Sequence, residues 1–240
     1  HMSDIQAISL DLWGTVICNN PAFKIAAANS ISRHCVSTPD EIIMAIRQLK
    51  NHHNGRVEEE GHAPTSHQLF ESLCQTFTVE VSAESVEEEY TQLFFKHPPF
   101  FLSADTPQLI KEISQMIPLH LLSNTMMICH TTLSKMLHEY LGIGHLFQSM
   151  TFSDNTGYSK PHTRIFEECF KGMACEKTNV MHLGDNVRTD YDGASRFGFR
   201  ACLLSETKPV RSGTVDLVGS LREFRDRFFP ESNSPTQEQS

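Results

Sequence analysis

Ile5-Gln6-Ala7-Ile8-Ser9-Leu10-Asp11-Leu12-Trp13-Gly14-Thr15 carries one carboxylate at the end of an apolar run, and Gly14 then breaks the run. A short apolar stretch of this kind predicts a buried strand, parallel because both of its faces are largely apolar. An ionised carboxylate at the end of such a strand costs free energy unless cations or hydrogen-bond donors meet it. The carboxyl edge of an open α/β sheet is also where ligands bind. Asp11 is therefore the first candidate for chemistry.

Working outward, residues 20–100 change character, and helical spacing replaces short apolar runs. Phe23, Ala26, Ala27 and Ile31 form one face, and Ile42, Ile43, Ile46 and Leu49 a second. Leu69, Phe70, Leu73 and Cys74 form a third, and Val86, Tyr90, Leu93 and Phe94 a fourth. Thr38-Pro39-Asp40-Glu41 is a helix start, and Pro98-Pro99 closes the segment. Strand-like runs return at Ile117–Leu122, Ser149–Ser153, Val180–Leu183 and Arg200–Leu204, with helical spacing at 107–116, 126–141, 161–173 and 190–197. Alternating strand and helix predicts a parallel, doubly wound Rossmann-like sheet, with Gly198 capping the last helix. The expected organisation is an α/β core from residues 3–17 and 102–228, a small α-helical cap over 18–101, and a polar, disordered tail over 231–240.

Four ordered segments carry a resemblance: Asp11-Leu12-Trp13-Gly14-Thr15, Leu121-Leu122-Ser123-Asn124, Ser159-Lys160-Pro161, and Gly184-Asp185-Asn186 through Asp190. Together they resemble the motifs of the haloacid dehalogenase superfamily of hydrolases, whose phosphatases read Asp-x-Asp-Gly-Thr at the first. The resemblance implies that Asp11 is the nucleophile, attacking phosphorus to form an aspartyl-phosphate that water hydrolyses. It implies Mg²⁺ held by Asp11, the backbone oxygen of Trp13 and Asp185, with Asp190 acting directly or through a water. Ser123, Asn124 and Lys160 would bind phosphate, Lys160 also serving catalysis. The physical need is that an anionic nucleophile must approach an anionic phosphate, so positive charge has to neutralise both.

Trp13 departs from this pattern. It occupies the position of the second aspartate, which protonates the leaving oxygen in the phosphatases, and general acid–base help is typically about 10²–10⁴-fold. One reading is a Mg²⁺-dependent phosphohydrolase of a small phosphorylated metabolite whose acid comes from the cap or the substrate. Lys50, His52, His53 and Arg56 are the cap candidates, in a stretch that otherwise reads as a solvated loop. A phosphonate-cleaving member of the superfamily also lacks the acid and uses a cap lysine, to which Lys50 with His53 is similar in placement. A second reading is a metal-independent 2-haloacid dehalogenase, since dehalogenases resemble this chain in replacing the second aspartate with an aromatic residue. They carry a less acidic fourth motif, however, and a tyrosine where this chain has Phe166. A third reading is a catalytically impaired phosphate-binding or regulatory protein.

Composition narrows the partners. A net charge of -9 over 240 residues opposes nucleic acid or anionic membrane as the main partner. No apolar run approaches the roughly 18 residues that span a bilayer. Without a basic, apolar leader a cytoplasmic location is the expectation, with monomer as the default state. Seven cysteines in an odd set without Cys-x-x-Cys spacing read as reduced, mostly buried thiols. His52, His53, His62 and His67 with Glu58–Glu60 are spaced too irregularly for a zinc site and read as a wet loop.

Overall fold

The computed structural model describes residues 4–207 and 215–230, with the side chains of residues 53–60 outside that description. The expected tail over 231–240 also lies outside the described residues.

The first strand, β1, spans Ala7–Leu10 and is buried along its length, as its two apolar faces require. A short antiparallel ribbon, β2 (Ile17–Cys18) with β3 (Phe100–Phe101), brackets four helices: α1 (Pro21–Ser32), α2 (Pro39–Glu60), α3 (Ser66–Phe77) and α4 (Ala83–Lys96). There follow α5 (Thr106–Met116), β4 (Leu119–Ser123) and α6 (His130–Lys135), which widens into a π-helical turn over Met136–Tyr140. Then come β5 (Ser149–Phe152), a single turn α7 (Ser153–Thr156), α8 (Thr163–Phe170) and β6 (Val180–Gly184). A second π-helical turn, Val187–Asp192, leads into α9 (Gly193–Phe197), β7 (Arg200–Leu204), β8 (Leu217–Val218) and α10 (Leu221–Phe228).

The six-stranded sheet has the order β5-β4-β1-β6-β7-β8 and every pairing is parallel. The chain winds first to one side of β1 and then, from β6, to the other. The strand order therefore reverses at β1, and side chains at its carboxyl end meet those of β4 and β6 in the resulting crevice. One hydrophobic cluster joins Ile8 and Leu10 of the sheet to Phe23, Ile31, Phe70 and Phe94 of the helices, so the helical segment packs on the sheet through a shared core. On the other face, Phe166, Phe197 and Phe199 pack with Ile165 and Val180.

Local signals set most helix ends. Glu41 accepts from the Thr38 backbone N–H at 2.7 Å while its own N–H donates to the Thr38 hydroxyl at 3.3 Å, a reciprocal cap at the start of α2. Gly198 ends α9 in the left-handed region. The stretch from Lys50 to Arg56, expected as a loop, is instead the continuation of α2. A glycine inside a helix costs only about 1 kcal/mol, so Gly55 does not stop it; the helix ends before Gly61, which has a φ of 74°. Of the seven cysteines only Cys169 and Cys202 are fully buried, the other five being half-buried.

Candidate active site

Asp11 extends from β1, its backbone N–H donating to Leu183 O at 2.9 Å, which locks the first residue after the strand to β6. Lys160 reaches it from the segment before α8, which it enters through a cis Lys160–Pro161 peptide. The Lys160 ammonium donates to Asp11 Oδ1 at 2.7 Å, to Asp190 Oδ1 at 2.6 Å and to Leu122 O at 2.9 Å, so all three of its protons are engaged. Lys160 is 2% exposed, Asp11 7% and Asp190 1%. A buried ammonium with three acceptors between two carboxylates is a strongly oriented centre, and breaking it strands charge in a poorly hydrated place.

The electrostatics follow from burial. Loss of hydration raises the Asp11 carboxyl, and although Lys160 opposes this, Asp190 and Asp185 add to it; the result is about 7. Burial would raise Asp190 too, but Lys160 and His182 more than reverse that and hold it below the usual carboxylate range. Burial alone would lower Lys160, yet Asp11 and Asp190 outweigh it and keep the ammonium charged. Asp185 is solvent-exposed on one side, and its carboxyl is nonetheless raised, first by lost hydration and then by Asp190.

Asp11, Asp185 and Asp190 each offer an oxygen within 4.8 Å of the others. Lys160 supplies one positive charge to three acids, and Asp185 makes no ion pair among the described residues. An all-oxygen cluster with an excess of negative charge fits a hard divalent ion such as Mg²⁺. Two glycines make the cluster possible. A Cβ on Gly14 would stand 2.2 Å from Asp185 Oδ2, and its φ of 79° disfavours other residues besides. A Cβ on Gly184 would stand 2.2 Å from Asp190 Cγ, so only glycine lets the acid fold back over the end of β6.

Asp11, Trp13, Asn124, Lys160, Asp185 and Asp190 all line one cavity of about 340 Å³. Asn124 uses its side chain on the lysine's main chain, accepting from Lys160 N at 2.7 Å and donating to Lys160 O at 3.0 Å. Ser123 is fully buried at the end of β4, and its hydroxyl donates to Asn124 O at 3.2 Å. Trp13 is half-buried and forms a wall, its ring 6.5 Å from that of Phe94. Of the cap candidates, Lys50 lines the cavity, exposed His52 is not among the lining residues, and the side chains of His53 and Arg56 lie outside the described residues.

Sequence reasoning passed over His182. It faces Ser9 across the β1–β6 register, accepts from the Ser9 hydroxyl at 2.9 Å on Nδ1 and donates from Nε2 to Asp190 Oδ1 at 3.2 Å. Burial lowers its pKa despite Asp190, so the neutral ring in this one tautomer aims Asp190 at Lys160. Two polar residues at paired positions in otherwise apolar strands were the available signal.

Residues 5–198 match the family model described as haloacid dehalogenase-like hydrolase. A glyceraldehyde 3-phosphate phosphatase of Methanothermobacter thermautotrophicus is 37% identical over 65 residues, 27% of this chain and 29% of that relative's length. Among solved structures, the magnesium-bound HAD hydrolase YfnB of Bacillus subtilis superposes with a TM-score of 0.73 at 17% identity, covering 93% of this chain and 98% of the other. The L-2-haloacid dehalogenase of Xanthobacter autotrophicus superposes at 0.66 with 16% identity, covering 93% and 98%. At these identities the two structures are alike in fold.

Proposed function

Because this chain belongs to the haloacid dehalogenase-like hydrolases, we propose that it is a Mg²⁺-dependent phosphohydrolase of a small phosphorylated metabolite, with Asp11 as nucleophile. The observation that supports this reading above the others is the convergence of Asp11, Asp185 and Asp190 within 4.8 Å around a single lysine. Three carboxylates this close repel one another unless cations meet them, and Lys160 supplies only one positive charge.

Asp11 attacks phosphorus: a P–O bond forms to its carboxylate as the P–O bond to the leaving alcohol breaks, and the electron pair departs on the alcohol oxygen. Water then attacks the same phosphorus, the bond to Asp11 breaks, and phosphate leaves with the carboxylate restored. The proton released by the water balances the one taken up by the alkoxide. Lys160 orients Asp11 through Oδ1 and offsets the charge of the transferring group. Asp11, Asp185 and the backbone oxygen of Trp13 would hold Mg²⁺, which would supply the positive charge that Lys160 alone does not. Asp190, already engaged by Lys160, His182 and the Asn186 N–H at 3.0 Å, acts through Lys160 or an intervening water. The end of β4 at Ser123 and Asn124 completes the phosphate site, with Asn124 keeping the Lys160 main chain in place.

No acid stands at position 13, so the enzyme favours esters whose leaving groups need little protonation, or takes the proton from the substrate or the helical segment. Residues 18–101 act as a cap that closes over Asp11 and excludes water, with Trp13 and Phe94 at the seam. A second reading, 2-haloacid dehalogenation, has the aromatic side chain of Trp13 in its favour.

Phosphate release from an aryl phosphate, with Mg²⁺ and with excess chelator, separates the readings. Mg²⁺-dependent release supports phosphohydrolysis. Halide release from 2-chloropropionate in chelator supports dehalogenation, and neither product on a broad substrate panel supports a binding protein.

A further inference from the structure

The acids of the active-site cavity have a cationic counterpart a short way off. A second cavity, of about 350 Å³, opens between α1 and α2 and shares Asn19, Phe23, Lys50 and Tyr90 with the first. Its lining brings Lys24, Arg47 and Lys50 together and includes no acidic residue among the described residues. In a chain of net charge -9 that is an unusual local balance. None of the three cations pairs with a carboxylate among the described residues.

Two further observations say that the cavity expects a ligand. Lys50 is partly withdrawn from water and stands close enough to Lys24 to feel its charge, and both effects, burial first, lower its pKa. A counter-anion between the two would relieve both. Tyr90 is 5% exposed, packs edge-on against Phe23 at 4.9 Å and Phe70 at 5.1 Å, and lines both cavities. Its hydroxyl has no hydrogen-bond partner among the described residues and is not itself fully buried, so it is open to a ligand in the cavity. Between these polar groups, Ala27, Ile43 and Ile46 give the walls an apolar stretch suited to a carbon chain.

We infer that the second cavity is a subsite for a second anionic group on the substrate, a carboxylate or a second phosphate. This rests on the phosphohydrolase reading and narrows it: the substrate is a phosphate monoester anionic at both ends, its ester over Asp11 and its far end among Lys24, Arg47 and Lys50. The charge pattern also sets direction. The end carrying the second anion is repelled from Asp185 and Asp190 unless a divalent ion is present, whereas at the cation cluster it is attracted with or without metal.

The test uses the full chain with Mg²⁺ and three matched sets of non-hydrolysable probes. These are alkylphosphonates of about three to six carbons ending in a methyl, a carboxylate or a second phosphonate, with binding read by calorimetry. Two charge-assisted contacts at the far end predict that a charged terminus tightens binding by about tenfold or more over the methyl terminus. They also predict that this preference shrinks as salt is raised. In the Lys24→Gln/Arg47→Gln double variant the ratio should fall towards one, and the carboxylate and phosphonate arms show which anion is preferred. Equal affinities for all three termini, a preference that survives the double substitution, or no binding of any probe would each overturn the subsite. Phosphate release from the matching phosphate esters is measured in parallel. A preserved binding preference without Mg²⁺-dependent release would count against phosphohydrolysis and leave the subsite standing, so the two failures are told apart.

Discussion

The ring of Trp13 stands 6.5 Å from that of Phe94, centroid to centroid, with the planes inclined at 54°. This places an indole from the loop after β1 against a side chain of α4, at the edge of the cavity that holds Asp11. The position that resembles an acid in related phosphatases is thus spent on packing between the sheet and the helical segment.

Restoring an acid there tests what was given up. Trp13→Asp is expected to raise kcat for alkyl phosphates, whose leaving groups need a proton, by as much as about 10²-fold. Aryl phosphates should gain little. Loss of the half-buried indole should cost about 1–3 kcal/mol of stability. Turnover of a matched alkyl and aryl pair, with a denaturant titration of both proteins, measures both effects.

Lys160→Met keeps the length of the side chain and removes its charge, leaving Asp11 and Asp190 facing each other in a buried site. Breaking a buried pair in this way typically costs about 3–5 kcal/mol. The loss should be greatest at alkaline pH, where neither acid can take up a proton, and Mg²⁺ should recover part of it. Urea unfolding at two pH values, with and without Mg²⁺, is the measurement; a variant as stable as the parent throughout would contradict this account of the centre.

Gly14→Ala introduces a Cβ 2.2 Å from Asp185 Oδ2 at a φ of 79°. The acid has to move away, and changes to groups that support a metal ligand typically weaken metal binding by about 10–100-fold. The left-handed backbone adds about 1–2 kcal/mol of strain. Calorimetric Mg²⁺ titration of a variant that still unfolds cooperatively checks this, and an unchanged affinity would refute it.

His67 carries a pH-dependent contribution within the helical segment. Its Nδ1 is 3.0 Å from Glu87 Oε2, and that hydrogen bond, with Glu71 and Glu84 nearby, raises its pKa above 6.5. A histidine raised in the folded state adds stability that is fully present below its unfolded value and is lost as pH rises through the folded one. Between pH of about 6 and about 8.5 the wild type should therefore lose more Tm than His67→Gln. Parallel Tm profiles for the two proteins would contradict the assignment.

The parallel sheet was legible because β1, β4, β6 and β7 are largely apolar on both faces, and Asp11 and Asp185 because each follows such a run; Lys160 and Asp190 were legible only through the resemblance of four ordered motifs to a known family. The extension of α2 to Glu60 was not, because Gly55 and the His52-His53 pair resemble loop composition while costing a packed helix little. The helix α10 was passed over although Leu221, Phe224 and Phe228 bury one face of it, since the polar residues between them dominate so short a segment. The Ser9–His182–Asp190 chain depends on register between strands far apart in sequence, which periodicity does not encode. Lys50 could be named as a candidate, but its place over the cavity follows from how α2 packs on α1.

The central claim is that Asp11 takes the phosphoryl group. The most direct measurement is mass spectrometry of the protein quenched in acid during turnover of an aryl phosphate with Mg²⁺. The account predicts one phosphoryl adduct, labile to hydroxylamine, on the peptide that contains Asp11, and neither adduct nor phosphate release from a folded Asp11→Asn variant. Sustained phosphate release by that variant, or an adduct on another residue, would contradict it.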